Sequence, residues 1–147
     1  MNSDKSIDAC FVNGPFLPMF SRESRSPAVT KSGTLYYPAW LAYACGYSAE
    51  RGHKSALIDC IADKLDHDIS VKRVSDLKPR LVVIGTSTPS IAADIKFASE
   101  IKKASPGTLF CLVGTHASAE AEEIVKSNPH IDFVARREYD KTIFEVV

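Results

Sequence analysis

A surplus charge of either sign is missing from this sequence: Lys plus Arg and Asp plus Glu number 18 each. Without a net field, bulk electrostatics draw the chain neither to nucleic acid nor to an anionic membrane. Long apolar runs are missing too, and none approaches the ~20 residues of a membrane span. The amino terminus, MNSDKSIDACFV, has no extended apolar region of the kind a secretory leader carries. We therefore expect a cytoplasmic protein. Cysteine is sparse. Cys10, Cys45, Cys60 and Cys111 are scattered, none sits in C-x-x-C, and no group has metal-site spacing. We read them as reduced thiols that pack as small hydrophobes. Repeats and low-complexity tracts are absent. The glycine-rich turn G-x-G-x-x-G is absent as well, which argues against a dinucleotide site.

What is present suits one domain. The chain has 147 residues, 45% hydrophobic and 24% charged, enough for a single core. The most informative stretch is VVIGTSTPS, Val82 to Ser90. The apolar run Leu81 to Ile84 reads as a strand buried on both faces. Pro89 suits the first turn of a helix, with Thr88 as its cap. Thr86, Ser87 and Thr88 then stand at the carboxyl end of a strand, the edge at which open parallel sheets bind ligands. Small hydroxyls donate and accept without charge, which suits a neutral or extended ligand lying close to the backbone.

The rest of the chain alternates strand and helix. Ile7 to Val12 is the first predicted strand, ending at Asn13-Gly14-Pro15. Residues 13–37 form a long loop without a clear period, read either as a floppy insertion or as a lid or docking surface over the edge that carries Thr86. A helix runs from Pro38 to about Arg51, with Leu41, Ala44, Cys45 and Ser48 on one face and Gly52 as its terminator. Lys54 to Asp59 is the second strand. Asp59 either caps the next turn or lies near a ligand. A short helix spans Ile69 to Leu77. The strand Leu81 to Gly85 follows, then a helix from Pro89 to about Ala104 with Ile91, Ile95, Ala98 and Ile101 inward. Thr108 to Val113 is the fourth strand, followed by a helix Ala119 to Ser127 capped by Ser118. Ile131 to Ala135 is the fifth, and Asp140 is placed to cap one more helix. Five strands alternating with helices predict an α/β domain with a five-stranded parallel sheet and helices on both faces.

Four loops should converge on the carboxyl edge: Asn13-Gly14-Pro15, Gly85 to Thr88, Gly114 to His116, and Arg136 to Glu138. Two of them, VVIGTS and CLVGTHAS, share one form: apolar strand, glycine, small hydroxyl residues. Glycine after a strand lets a ligand approach the backbone closely. His116 reads as a loop histidine, exposed or bonded to backbone. Arg136 and Arg137 read either as a phosphate clamp or as solvated surface.

The segments PAWLAYACGYSAERGHKSALID, GTSTPS, VGTHASAEAEE and IDFVARREYD, in this order along the chain, resemble the amino-terminal cobalamin-binding domain of cobalamin-dependent radical S-adenosylmethionine enzymes. The resemblance implies a flavodoxin-like (Rossmann-like) three-layer domain. It implies that the loops after the third and fourth strands hold the cofactor's nucleotide tail. The matching candidates are Thr86, Ser87, Thr88, Gly114, Thr115 and His116, with Asn13, Gly14, Arg137 and Glu138 at the flanking loops. Where the family often has two adjacent glycines, this chain has Gly114-Thr115; where it often has G-E-x-E, the chain has Arg137-Glu138-Tyr139-Asp140. A second kind of cobalamin domain ligates cobalt from D-x-H-x-x-G after the first strand. Here that stretch reads Val12-Asn13-Gly14-Pro15-Phe16-Leu17, without histidine, so cobalamin is expected to bind with no histidine from that position.

The expected function is therefore a cobalamin-binding module, with no catalytic residue and no metal ligand of its own. Residues 1–147 form one domain, expected to be the amino-terminal part of a longer polypeptide. The resemblance implies a radical S-adenosylmethionine barrel as partner, carrying the four-iron cluster, S-adenosylmethionine and the methyl-transfer or ring-forming chemistry. A cluster needs C-x-x-x-C-x-x-C, which this chain lacks. The alternative is a non-catalytic flavodoxin-like domain for ligand binding or signalling. A receiver would need an Asp where Thr86 stands, and a flavodoxin would need a hydroxyl-rich first loop in place of Asn13-Gly14-Pro15.

Overall fold

The computed structural model describes residues 6–147; residues 1–5, the start of the amino-terminal stretch read above, lie outside it. Five strands form one parallel sheet: β1 (Ala9–Asn13), β4 (Ser55–Asp59), β5 (Leu81–Gly85), β6 (Leu109–Val113) and β7 (Phe133–Val134). Their order is β4-β1-β5-β6-β7. The expected parallel α/β architecture is present. The order reverses between β1 and β5, which makes the carboxyl ends of those two strands the switch point of the sheet.

Side chains alternate between the faces, as strand geometry requires. Cys10, Val12, Val82, Ile84, Phe110 and Leu112 join Val74, Phe97, Ala98 and Ile101 in one buried cluster. That face is covered by α2 (His67–Asp76), α3 (Ile91–Ala104) and the short α5 (Ala121–Ser127). Ala9, Phe11, Leu81, Val83 and Cys111 join Leu41, Ala44 and Ile143 in the other cluster, under α1 (Ala39–Glu50) and α6 (Asp140–Val146). The outcome is a three-layer sandwich.

Several expected boundaries shift for local reasons. The helix expected from Pro89 begins at Ile91, because the Ser87 carbonyl accepts from both Ser90 N and Ile91 N at 3.0 Å. That tight turn absorbs Pro89, and Thr88 is not the cap. On its inward face Asp94, Phe97, Ala98 and Ile101 are buried, and the expected Ile91 and Ile95 pack half-buried against the same cluster. The helix expected over 119–127 is α5, which starts at Ala121, and a separate short helix, α4 (Thr115–Ala119), precedes it where a loop was expected. Ser118 lies inside α4 and caps nothing. Its carbonyl accepts from Arg136 Nε and its hydroxyl from the Arg137 backbone N–H. Asp140 is the first residue of α6 and not its cap. Asp66 caps α2 by accepting from Ile69 N at 2.8 Å, so that helix starts two residues earlier than expected. Gly52 does terminate α1, with φ of 102° in the left-handed region.

The long excursion between β1 and α1 packs part of its length against the domain. It contains a small antiparallel pair, β2 (Phe20–Ser21) with β3 (Ala28–Val29). Phe20 and Ser21 are buried. The core also holds three of the four cysteines, Cys10, Cys60 and Cys111. Burial pushes the Cys60 thiol up to about 11 and the Cys111 thiol up to about 12, and raises Cys10 further. Since the thiolate is the reactive form, these three should resist alkylation. Native protein treated with iodoacetamide at pH 8 should carry label at half-buried Cys45 alone, and slowly. Rapid labelling of Cys10 or Cys111 would contradict the packing of the central strands.

A candidate cofactor edge at the switch point

The four predicted loops do meet at the carboxyl edge, joined by a series of contacts. Asn13 ends β1, with its amide NH2 donating to Asp59 Oδ1 at 2.8 Å. Asp59 also accepts from Ile61 N and Ala62 N, so of its two readings the turn cap is the one the geometry supports. Beside Asn13, the Arg22 guanidinium reaches in from the excursion. It donates to Asn13 Oδ1 and Gly14 O at 2.8 Å each, to Ser90 Oγ at 3.2 Å and to Asp94 Oδ1 at 2.6 Å. Both members of this ion pair are buried: Arg22 is 6% exposed and Asp94 0%. A Cβ on Gly14 would come within 3.3 Å of Asp94 Oδ1, so glycine there leaves room for the pair.

The loop after β5 touches the loop after β6 backbone to backbone. Thr86 N donates to Val113 O at 2.8 Å. Gly114 has φ of 120°, and a Cβ there would stand 2.3 Å from the Thr86 carbonyl. Glycine at 114 is thus required by the contact between the two loops, whatever lies above them. His116 Nδ1 lies 3.3 Å from Thr88 Oγ1. Arg136 and Arg137 complete the series by bonding Ser118. Thr88, Thr115, Arg137 and Glu138 are exposed, and Thr86 and Ser87 are buried.

Thr86 has a property its neighbours lack. Its Oγ1 is buried and has no hydrogen-bond partner. Three other buried hydroxyls share that state among the described residues, Ser48, Ser55 and Ser75. These lie late in α1, at the start of β4 and late in α2, all toward the amino edge of the sheet. Thr86 alone of the four sits where the fold takes ligands. Leaving a buried hydroxyl unpaired costs about 1–3 kcal/mol. A ligand atom at this edge would relieve that cost, which is the sense in which the residues present fit a polar, extended cofactor tail.

The histidines are distributed unevenly. His53 faces Asp8 and Phe144, His67 pairs with Glu100 between α2 and α3, and His130 lies against the Ile95 carbonyl. His116 is the one at the carboxyl edge. Among the described residues, no three His, Cys, Asp or Glu side chains gather to hold a metal ion, and no helix is long and apolar enough to cross a membrane.

Sequence reasoning missed Arg22, Ser90 and Asp94. Asp94 was detectable in principle: it shares a helical face with Phe97, Ala98 and Ile101, and an acid on an apolar stripe needs a partner. Nothing in the aperiodic 16–34 segment singled out Arg22 over Arg25.

Comparison with known proteins bears on what this edge holds. A family model described as the B12 binding domain matches residues 25–147. An anaerobic magnesium-protoporphyrin IX monomethyl ester cyclase from Cereibacter sphaeroides is 30% identical over 114 residues, 75% of this chain and 18% of the relative. A protein of the same name from Rubrivivax gelatinosus is 27% identical over 111 residues, 75% of this chain and 20% of the relative. The chain thus spans about a fifth of the length of these relatives. A solved structure, the Ruminococcus gnavus sialic acid aldolase catalytic lysine mutant, has a TM-score of 0.36 at 14% identity, covering 92% of this chain and 54% of that one, and bears no weight here. The match over most of the chain, on a sheet of order β4-β1-β5-β6-β7 with its loops gathered at one edge, makes this chain a member of the B12-binding domain family.

Proposed function

We propose that this domain holds cobalamin at the edge formed by Thr86, Ser87, Thr88, Gly114 and Thr115, with no histidine of the chain on cobalt, and presents it to a radical S-adenosylmethionine domain of the same polypeptide. The observation that carries the reading is the unpaired Thr86 hydroxyl at the carboxyl edge of a chain that matches the B12-binding family. When bound, cobalamin supplies a cobalt centre that carries a methyl group or changes oxidation state. Thr86 Oγ1 would bond the nucleotide tail. Exposed Thr88 and Thr115 would meet its outer atoms, while Asn13 and Gly14 would border the corrin from the β1 side and Arg137 and Glu138 from the β7 side. Asn13 closes β1 with its amide bonded to Asp59 and Arg22, which supports a reading in which it does not ligate cobalt.

The names of the relatives, cyclases of a porphyrin ester, support an enzymatic parent. The four-iron cluster and S-adenosylmethionine belong, in this reading, to that partner domain. Four unpaired cysteines suit a reducing compartment, so the reading includes a cytoplasmic location.

Electron paramagnetic resonance of the chain loaded with cobalt(II) cobalamin tests the ligation. The expected spectrum lacks imidazole nitrogen superhyperfine splitting and is unchanged in His116→Ala. Splitting that disappears in His116→Ala would overturn it.

A further inference from the structure

We propose that Arg22 is a positioning residue: acting through Ser90 and Asp94, it fixes the shape of the Thr86–Ser90 loop and so the geometry of the tail site. The inference rests on the cobalamin reading above for its ligand, and on hydrogen bonds alone for its mechanism. Ser90 Oγ is the node. It donates to Asp94 Oδ2 at 2.7 Å, its shortest contact. Its lone pairs face Arg22 Nε at 3.2 Å and the Ser87 backbone N–H at 3.2 Å, with Ser87 Oγ at 2.9 Å. A hydroxyl has one proton and two lone pairs. With the proton held by Asp94, the lone pairs are directed at Arg22 and at the loop. The shape of the residue next to Thr86 is thereby tied to a charge pair contributed by a different segment.

The excursion is itself anchored at two consecutive residues. Arg22 clamps the β1 end and α3, and Glu23 Oε2 accepts from Trp40 N at 3.0 Å at the start of α1, while Ser21 Oγ ties the excursion to itself by accepting from Tyr36 N at 2.9 Å. Arg22 and Glu23 thus join the excursion, the β1 loop, the β5 loop and α1. A buried ion pair is weak evidence for stability, since well-packed apolar residues often serve as well. What apolar residues could not do is set the orientation of Ser90, and with it Ser87.

The test compares hydroxocobalamin with cobinamide, a corrinoid without the nucleotide tail. Wild type, Ser90→Ala, Arg22→Met and Arg22→Lys are titrated, and backbone hydrogen exchange is followed over residues 86–91. Ser90→Ala keeps the ion pair and serves if Arg22→Met does not fold. In folded variants we expect cobalamin affinity to fall at least fivefold, cobinamide affinity to change less than twofold, and Arg22→Lys to recover part of the loss. In Ser90→Ala, which keeps the ion pair, exchange at residues 86–91 should quicken by more than any fall in global stability accounts for. Equal loss for both corrinoids, or unchanged cobalamin affinity, would overturn the positioning role. If wild type binds neither corrinoid, the cobalamin reading fails, and exchange alone decides whether Arg22 sets the loop: unchanged exchange in Arg22→Met or Ser90→Ala refutes it.

Discussion

Val83→Asp should leave the domain unfolded or close to it. Val83 is 0% exposed in the middle strand of five, paired across to Phe11 on β1 and to Cys111 on β6. Its side chain lies in the cluster with Leu41, Ala44 and Ile143, beneath α1 and α6. No cationic side chain belongs to that cluster, so the new carboxylate would be unpaired. It would either remain charged at a cost of several kcal/mol or take up a proton and remain an unsatisfied polar group. Domains of this size have about 5–15 kcal/mol of stability, so the loss removes much of it. Urea denaturation followed by far-ultraviolet circular dichroism measures it. A Val83→Asp midpoint equal to wild type would mean that β5 is not the central buried strand.

How far the sequence alone reaches is clear from two stretches. Leu81 to Gly85 was legible to the residue, because a strand covered on both faces must be apolar at every position and must end where glycine and hydroxyls begin. The Arg22 clamp was not legible. Its partner Asp94 is 72 residues away, and the segment that carries Arg22 has no period from which a side-chain direction can be read. The same limit explains the α4–α5 break at Glu120. The sequence offered Ser118 as a cap, but Ser118 lies inside α4, where it accepts from Arg136 Nε and the Arg137 N–H, and the helix restarts only after Glu120. Of the candidate residues, Thr86 and Ser87 were singled out by their place after a buried strand, and both are buried at the end of β5. Gly114 was singled out to admit a ligand, whereas in the structure it makes room for the Thr86 carbonyl.

Thr86→Val should separate stability from binding. Valine has the shape of threonine without its hydroxyl. In the free protein that hydroxyl is buried and unbonded, so its removal relieves desolvation and should leave the melting temperature equal or higher. In the complex the same hydroxyl would bond the cofactor tail, and its loss should weaken binding about tenfold, near 1.4 kcal/mol. A residue important only for packing cannot give this pair of results. Phenylalanine is the poorer probe, because Thr86 is 6% exposed and a ring would strain the protein itself.

The decisive measurement is therefore a titration of wild type and Thr86→Val with hydroxocobalamin, followed by visible absorption, alongside thermal melts of both proteins without ligand. The expected result is saturable binding by wild type and about tenfold weaker binding by Thr86→Val at equal or greater thermal stability. Equal affinities would remove Thr86 from the site, and no binding by wild type would contradict the cobalamin-binding function itself.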